Sequence, residues 1–192
     1  QISEIKLLLD TIFNNYKVTK NPEITFEANP DDLSKDYLIE LSKTQINRLS
    51  IGIQSFFEDD LILMNRAHDA SEAQKCLELA TKYFDNISID LIYGIPDMSP
   101  QKWIQNIKTA LSFNIPHISS YALTVEPKTA LQKLIENGKI NQPKDELAAQ
   151  HFEILVKILE ENNFIHYELS NFGKPTYFSK NNSSYWLGKK YI

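Results

Sequence analysis

The sequence predicts an α/β fold in which parallel strands alternate with helices and curve into part of a βα barrel. Two observations carry that expectation. Strand-length segments are separated by helix-length ones, which implies parallel pairing through right-handed crossovers. The strands also carry bulky apolar residues on one face and small or polar residues on the other. A barrel strand shows one face to helices and one to the interior, whereas strands of a doubly wound sheet run as near-continuous apolar segments.

The elements follow in order. Ile5, Leu8, Leu9, Ile12 and Phe13 fall at helical spacing within QISEIKLLLDTIFNNY, and EITFEANP follows as a short strand stopped by Pro30. DDLSKDYLIELSKTQ reads as the next helix, and RLSIGIQSF, Arg48 to Phe56, as the second strand, with large apolar side chains at alternate positions. Ser71 with Gln74 suggests a capping box ahead of Ala73, Leu77 and Ala80, in a helix expected to reach about Phe84. NISIDLIYGIP is the third strand. Ser99 as cap and Pro100 at the first helical position start a helix through Ile104, Ile107 and Leu111, and PHISSYALTVEP is the fourth strand. A long helix from about Asp145 to Glu161 precedes IHYELSNF, read as a fifth strand. The tail FSKNNSSYWLGKKYI is polar and aromatic without a clear period. No repeat or long linker interrupts the chain, so one domain is expected.

Composition narrows the function. With 192 residues, 42% of them hydrophobic, the chain can bury a substantial core without disulfides or metal. A net charge of −5 argues against a broad phosphate-binding surface, so no nucleic-acid partner is expected. No apolar run approaches the roughly 20 residues that cross a bilayer, and no signal-peptide pattern opens the sequence. The single cysteine, Cys76, fits a reducing compartment, so the cytoplasm is the expected location.

The strand faces point to a site. Ile24, Phe26 and Ala28 oppose Thr25, Glu27 and Asn29; Leu49, Ile51 and Ile53 oppose Ser50, Gly52 and Gln54; Ile87, Ile89 and Leu91 oppose Ser88, Asp90 and Ile92. Taking the first set of each pair as outward puts Glu27, Gln54 and Asp90 on the inner face, toward the C-terminal strand ends where barrel active sites collect. Two carboxylates in one lumen call for a cationic or hydroxyl-rich ligand, because an unpaired buried carboxylate is costly.

The segments FEANP, RLSIGIQSF, LMNRAHD, IDLIYGIP, SSYALTVEP and HYELSNFGKP, in this order, cover nearly the whole chain. Together they resemble the radical S-adenosylmethionine barrel of the oxygen-independent coproporphyrinogen III oxidases, and within it the heme-chaperone branch called HemW. The resemblance implies that Glu27 and Arg66 hold the amino and carboxylate ends of the methionine moiety of S-adenosylmethionine. It implies that Gln54 and Asp90 bond the ribose hydroxyls and that Ala122 lines the adenine pocket. An anion, a planar guanidinium and hydroxyl acceptors are also what a zwitterionic amino acid joined to a diol requires.

Members of that family ligate a four-iron, four-sulfur cluster through a C-x-x-x-C-x-x-C loop, which one cysteine cannot form. Cys76 lies in an amphipathic helix and reads as a small buried residue. The sequence opens on a helix and lacks an initiating Met, whereas a barrel begins with a strand. A fragment is therefore expected, inactive by itself, with the first strands and cysteine loop upstream of Gln1. On this reading residues 1–175 are the partial barrel and 176–192 start a C-terminal extension.

Heme-chaperone members carry H-N-x-x-Y-W in that extension, where this chain has Asn181, Asn182, Ser183, Ser184, Tyr185 and Trp186. Asn181 replaces the imidazole, while Tyr185 and Trp186 match; His166 is a further candidate for heme contact. His68, His117 and His151 show no metal-ligand spacing. The resemblance thus implies a heme chaperone that binds S-adenosylmethionine and a cluster, handles heme or porphyrin, and serves respiratory heme proteins. One alternative is an oxygen-independent coproporphyrinogen III oxidase, which decarboxylates porphyrinogen propionates; another is a metabolite-binding barrel without radical chemistry.

Overall fold

The computed structural model describes residues 1–192. Helix α1 (Ile2–Asn15) precedes strand β1 (Thr25–Ala28), and a short 3-10 turn at Pro30–Asp32 leads into α2 (Lys35–Leu41) and β2 (Arg48–Gln54). Helices α3 (Glu58–Leu63) and α4 (Ala70–Ala80) lead to β3 (Ile87–Tyr93), and α5 (Pro100–Ser112) leads to β4 (His117–Ala122). Then come α6 (Ala130–Glu136), α7 (Asp145–Glu161), the short strands β5 (Ile165–His166) and β6 (Asn171–Gly173), and α8 (Lys180–Trp186). All six strands form one sheet in the order β1-β2-β3-β4-β6-β5, with β1 to β4 parallel.

The face assignment decides the packing. Leu49, Ile51, Ile53, Ile87, Ile89, Leu91, Ile118 and Phe172 are fully buried in one core with Leu77 and Ala80 of α4, Trp103 and Ile107 of α5, and Leu155 and Leu159 of α7. Each such Leu or Ile contributes about 1.5–3 kcal/mol on leaving water. The opposite face of the same strands carries the polar residues and stays open as a lumen. No helix is long and apolar enough to cross a membrane.

Several expectations change. IHYELSNF is a hairpin rather than one strand: β5 and β6 pair antiparallel, and β6 pairs antiparallel with β4. Glu168 makes the turn, since its carboxylate accepts from Ser170 N and from Asn171 Nδ2. The cap of α4 is Asp69 with Glu72, not Ser71 with Gln74. Asp69 Oδ1 accepts from Glu72 N at 2.7 Å and Glu72 Oε2 accepts from Asp69 N at 2.9 Å, and the helix ends at Ala80 instead of Phe84. The Ser99 cap and Pro100 are as expected, with Ser99 Oγ accepting from Lys102 N at 3.2 Å.

The tail, which shows no period in sequence, forms α8. Ser179 Oγ accepts from Asn182 N, and Glu23 Oε1 accepts from Lys180 N at 2.8 Å and Asn181 N at 3.2 Å. That anchor lies at the N-terminal end of β1, so residues 176–192 cross the strand bases and add Ser179, Asn181 and Asn182 to the lumen wall.

Candidate functional site

The lumen is a cavity of about 500 Å³ on the concave face of the sheet. Its upper end is built around the last residues of β2. Gln54 is 5% exposed and has φ of 68°, a left-handed conformation that costs a non-glycine residue on the order of 1–3 kcal/mol. It sits at an irregularity where the β2–β3 register shifts. The kink aims Gln54 into the cavity, and its Oε1 is buried without a hydrogen-bond partner.

Buried groups on both sides hold that conformation. His68, 2% exposed, donates from Nε2 to the Ile53 carbonyl at 3.1 Å. On the other side Ser55 Oγ donates to Asp60 Oδ2 at 2.6 Å, and fully buried Asn106 accepts from Phe56 N at 2.7 Å while donating to Ser55 Oγ at 3.1 Å. Lys102 bridges Asp59 at 2.7 Å and Asp60 at 2.6 Å, offsetting the burial that raises the Asp60 carboxyl pKa. A strained residue persists only where its surroundings over-determine it, and these contacts do so.

Arg66 reaches the same point from the turn after α3. Its Nη2 donates to Asn29 Oδ1 at 2.5 Å, and its Nε is buried without a partner. Gly52 lies beneath: a Cβ there would come 3.0 Å from Gln54 Nε2, 3.3 Å from Arg66 Nη2 and 3.4 Å from Asn29 Oδ1. The glycine keeps three polar side chains converged.

Glu27 and Asp90 line the same cavity from β1 and β3. Burial, with the Glu27 charge added, pushes the Asp90 carboxyl up to about 6, and Arg66 and Arg48 offset part of that rise. Ala122 is placed differently. It ends β4 in half-buried surroundings, while Ser119 and Tyr121 of that strand line the cavity.

His166 lies on the helix side of the sheet, stacked on Phe172 with centroids 4.3 Å apart and edge-on to Phe152 of α7. Tyr185 and Trp186 are 63% and 61% exposed and line a second recess of about 420 Å³ with Tyr121, Glu168 and Tyr191. Trp186 Nε1 donates to Glu168 Oε1 at 2.9 Å. Ser119, Tyr121, Asn171, Asn181 and Asn182 belong to both cavities, so the recess adjoins the lumen.

Further polar groups line the lumen. Arg48, Ser88 and His117 occupy the base; the parity of RLSIGIQ already faces Arg48 inward, which is the signal that could have found it. Ser88 Oγ and Tyr167 Oη bond His117 Nδ1 and Nε2, both at 2.7 Å. Burial, helped by the Arg48 charge, pushes the imidazole down to about 3, so it is neutral.

A parallel βα half-barrel with a polar lumen of mixed charge is the class that fold and site define. The chain belongs to the radical SAM superfamily, whose family model matches residues 2–110. It is 37% identical to the heme chaperone HemW of Bacillus subtilis over 98% of this chain and 50% of that protein. It is 34% identical to the mitochondrial radical S-adenosyl methionine domain-containing protein 1 of Danio rerio over 100% of this chain and 44% of that one. Among solved structures, the Escherichia coli coproporphyrinogen III oxidase HemN, a radical SAM enzyme, superposes with a TM-score of 0.79 at 23% identity, covering 98% of this chain and 43% of that one. The chain spans about half the length of the curated relatives it matches.

Membership implies S-adenosylmethionine and a four-iron, four-sulfur cluster. The lumen fits the first: Gln54 Oε1 and Arg66 Nε are buried and unpartnered, Gly52 leaves room beside them, and carboxylates and a guanidinium face the same space. Residues 1–192 do not fit the cluster. Cys76 is the one thiol, buried in the core with its pKa pushed up to about 12, and no group of three His, Cys, Asp or Glu side chains is placed to hold a metal ion.

Proposed function

We propose that this chain is the cofactor-holding part of a heme chaperone of the HemW type, and that its lumen binds S-adenosylmethionine. The observation that carries the cofactor reading is the convergence of Gln54 and Arg66 over Gly52 in the cavity wall, each with one buried polar atom left without a protein partner. Arg66 pairs with the ligand carboxylate and Glu27 with its ammonium, each a charge-assisted contact. Gln54 and Asp90 bond the ribose diol, while Ala122 lies off the cavity wall that Ser119 and Tyr121 form on its strand. When bound with its cluster, S-adenosylmethionine supplies one-electron chemistry; the residues here bind it, orient it and shield it from water.

The chaperone reading is supported by the identity to HemW over nearly all of this chain and by the aromatic recess beside the lumen. Tyr185 and Trp186 there offer flat apolar surface to heme or a porphyrin. His166 faces α7 instead, which supports a packing role in place of iron ligation. Respiratory heme proteins are the proposed acceptors and the cytoplasm the proposed location. The Asn181–Trp186 segment supports this reading over a coproporphyrinogen oxidase.

Calorimetric titration of the full-length protein with S-adenosylmethionine tests the pocket: Arg66→Ala, whose Nε is buried, should weaken binding by about 2–5 kcal/mol, and Glu27→Ala, exposed on β1, by about 1 kcal/mol. Unchanged affinity in both variants refutes the assignment. Soret-band titration with heme tests the recess, where Trp186→Ala should weaken binding.

A further inference from the structure

The base of the lumen holds a buried cation with no ion-pair partner in contact with it. Arg48 is 3% exposed, lines the cavity from the first residue of β2, and makes one hydrogen bond, from Nη1 to the neutral Asn86 Oδ1 at 2.6 Å. No carboxylate stands within ion-pair distance. Glu23, on the same end of the sheet, accepts from the backbone of Lys180 and Asn181 and favours the Arg48 charge only through space. Asp90 lies higher, level with Ser119 of β4, and influences Arg48 only through space. A buried guanidinium without a counter-charge is costly, so its remaining N–H groups facing a cavity call for an anion.

The surroundings define which anion. Thr25 pairs with Arg48 in register, and Ser88 and Ser179 line the same cavity, while neutral His117 adds no second positive charge. One guanidinium balances one negative charge, and Glu27 and Asp90 above repel a second. Gln54 lies six residue steps along β2 from Arg48, roughly 20 Å at strand rise, so a group held at Arg48 is recognised apart from one held at Gln54.

We propose that Arg48 forms a subsite at the base of the lumen for a carboxylate monoanion carried by a ligand. The subsite is separate from the S-adenosylmethionine contacts proposed above and stands without them.

The test is a thermal-shift titration of the full-length protein, without S-adenosylmethionine, using sodium propionate against sodium chloride at equal ionic strength. Propionate should stabilise wild type saturably beyond chloride. Inorganic phosphate, largely a dianion at pH 8, should bind at least tenfold more weakly. Arg48→Gln should weaken propionate binding at least tenfold, and Arg48→Lys, which keeps the charge and loses the planar fork, should fall between. Equal, unsaturable shifts from propionate and chloride in wild type would overturn the proposal, whether or not the variants fold, because Arg48 would then be neutralised elsewhere in the protein. Phosphate binding tighter than propionate would overturn the monoanion assignment, and propionate affinity unchanged in Arg48→Gln would remove Arg48 from the site.

Discussion

Replacing Gly52 by alanine separates the stability of this protein from its binding. The added methyl would lie 3.0 Å from Gln54 Nε2, 3.3 Å from Arg66 Nη2 and 3.4 Å from Asn29 Oδ1. All three neighbours are ends of flexible side chains, so they can retreat by a few tenths of an ångström at a cost near the low end of overpacking, about 1 kcal/mol. Removing glycine from the unfolded chain returns about 0.4–1 kcal/mol. Urea denaturation should therefore show a stability change within about 1 kcal/mol. Binding should respond differently, because two convergent polar contacts are displaced together. At about 1–1.5 kcal/mol each, S-adenosylmethionine affinity in the full-length protein should fall by roughly 30- to 150-fold. Calorimetry reads the loss. A variant with wild-type affinity would show that the convergence over Gly52 plays no part in recognition.

Asp90→Asn should raise the stability of the ligand-free protein. The folded carboxyl titrates near 6 against 3.8 in the unfolded chain, so the folded state holds the extra proton between those values and wild-type stability falls as pH rises through that window. The variant's advantage should be absent near pH 4, grow to about pH 6 and then hold at a few kcal/mol; a constant difference across pH would contradict it. Asn106→Ala, which strands the Phe56 N–H in a dry site while Ser55 Oγ keeps its bond to Asp60, should cost about 1–3 kcal/mol in urea denaturation and also weaken cofactor binding by freeing Gln54. His166→Ala should lose about 0.5–1.5 kcal/mol of stability with its stacking on Phe172 and leave the heme-titration Soret band unchanged. A changed Soret band would restore His166 as a heme contact.

Residue type and period alone determined which strand faces are dry. Leu49, Ile51 and Ile53 had to face helices, and that left Ser50, Gly52 and Gln54 to face the lumen, because side chains alternate across a strand without reference to distant partners. The parallel order of β1 to β4 and the cap of α5 were legible for the same reason: both depend on near neighbours. Local pattern could not decide the rest. Ser71 and Asp69 offered α4 competing caps, and the hydrogen bonds of Asp69 with Glu72 prevailed. The β5–β6 turn required Glu168 to meet Asn171, and α8 required Glu23, from the far end of the chain, to hold its first turn. The strained backbone of Gln54 depends on His68 and Asn106, which reach it from two later elements. Such contacts exist only once distant segments pack together, so the tertiary structure alone brought Gln54, Arg66 and Asn29 to one point, set Arg48 apart at the base, and turned His166 to the helix side.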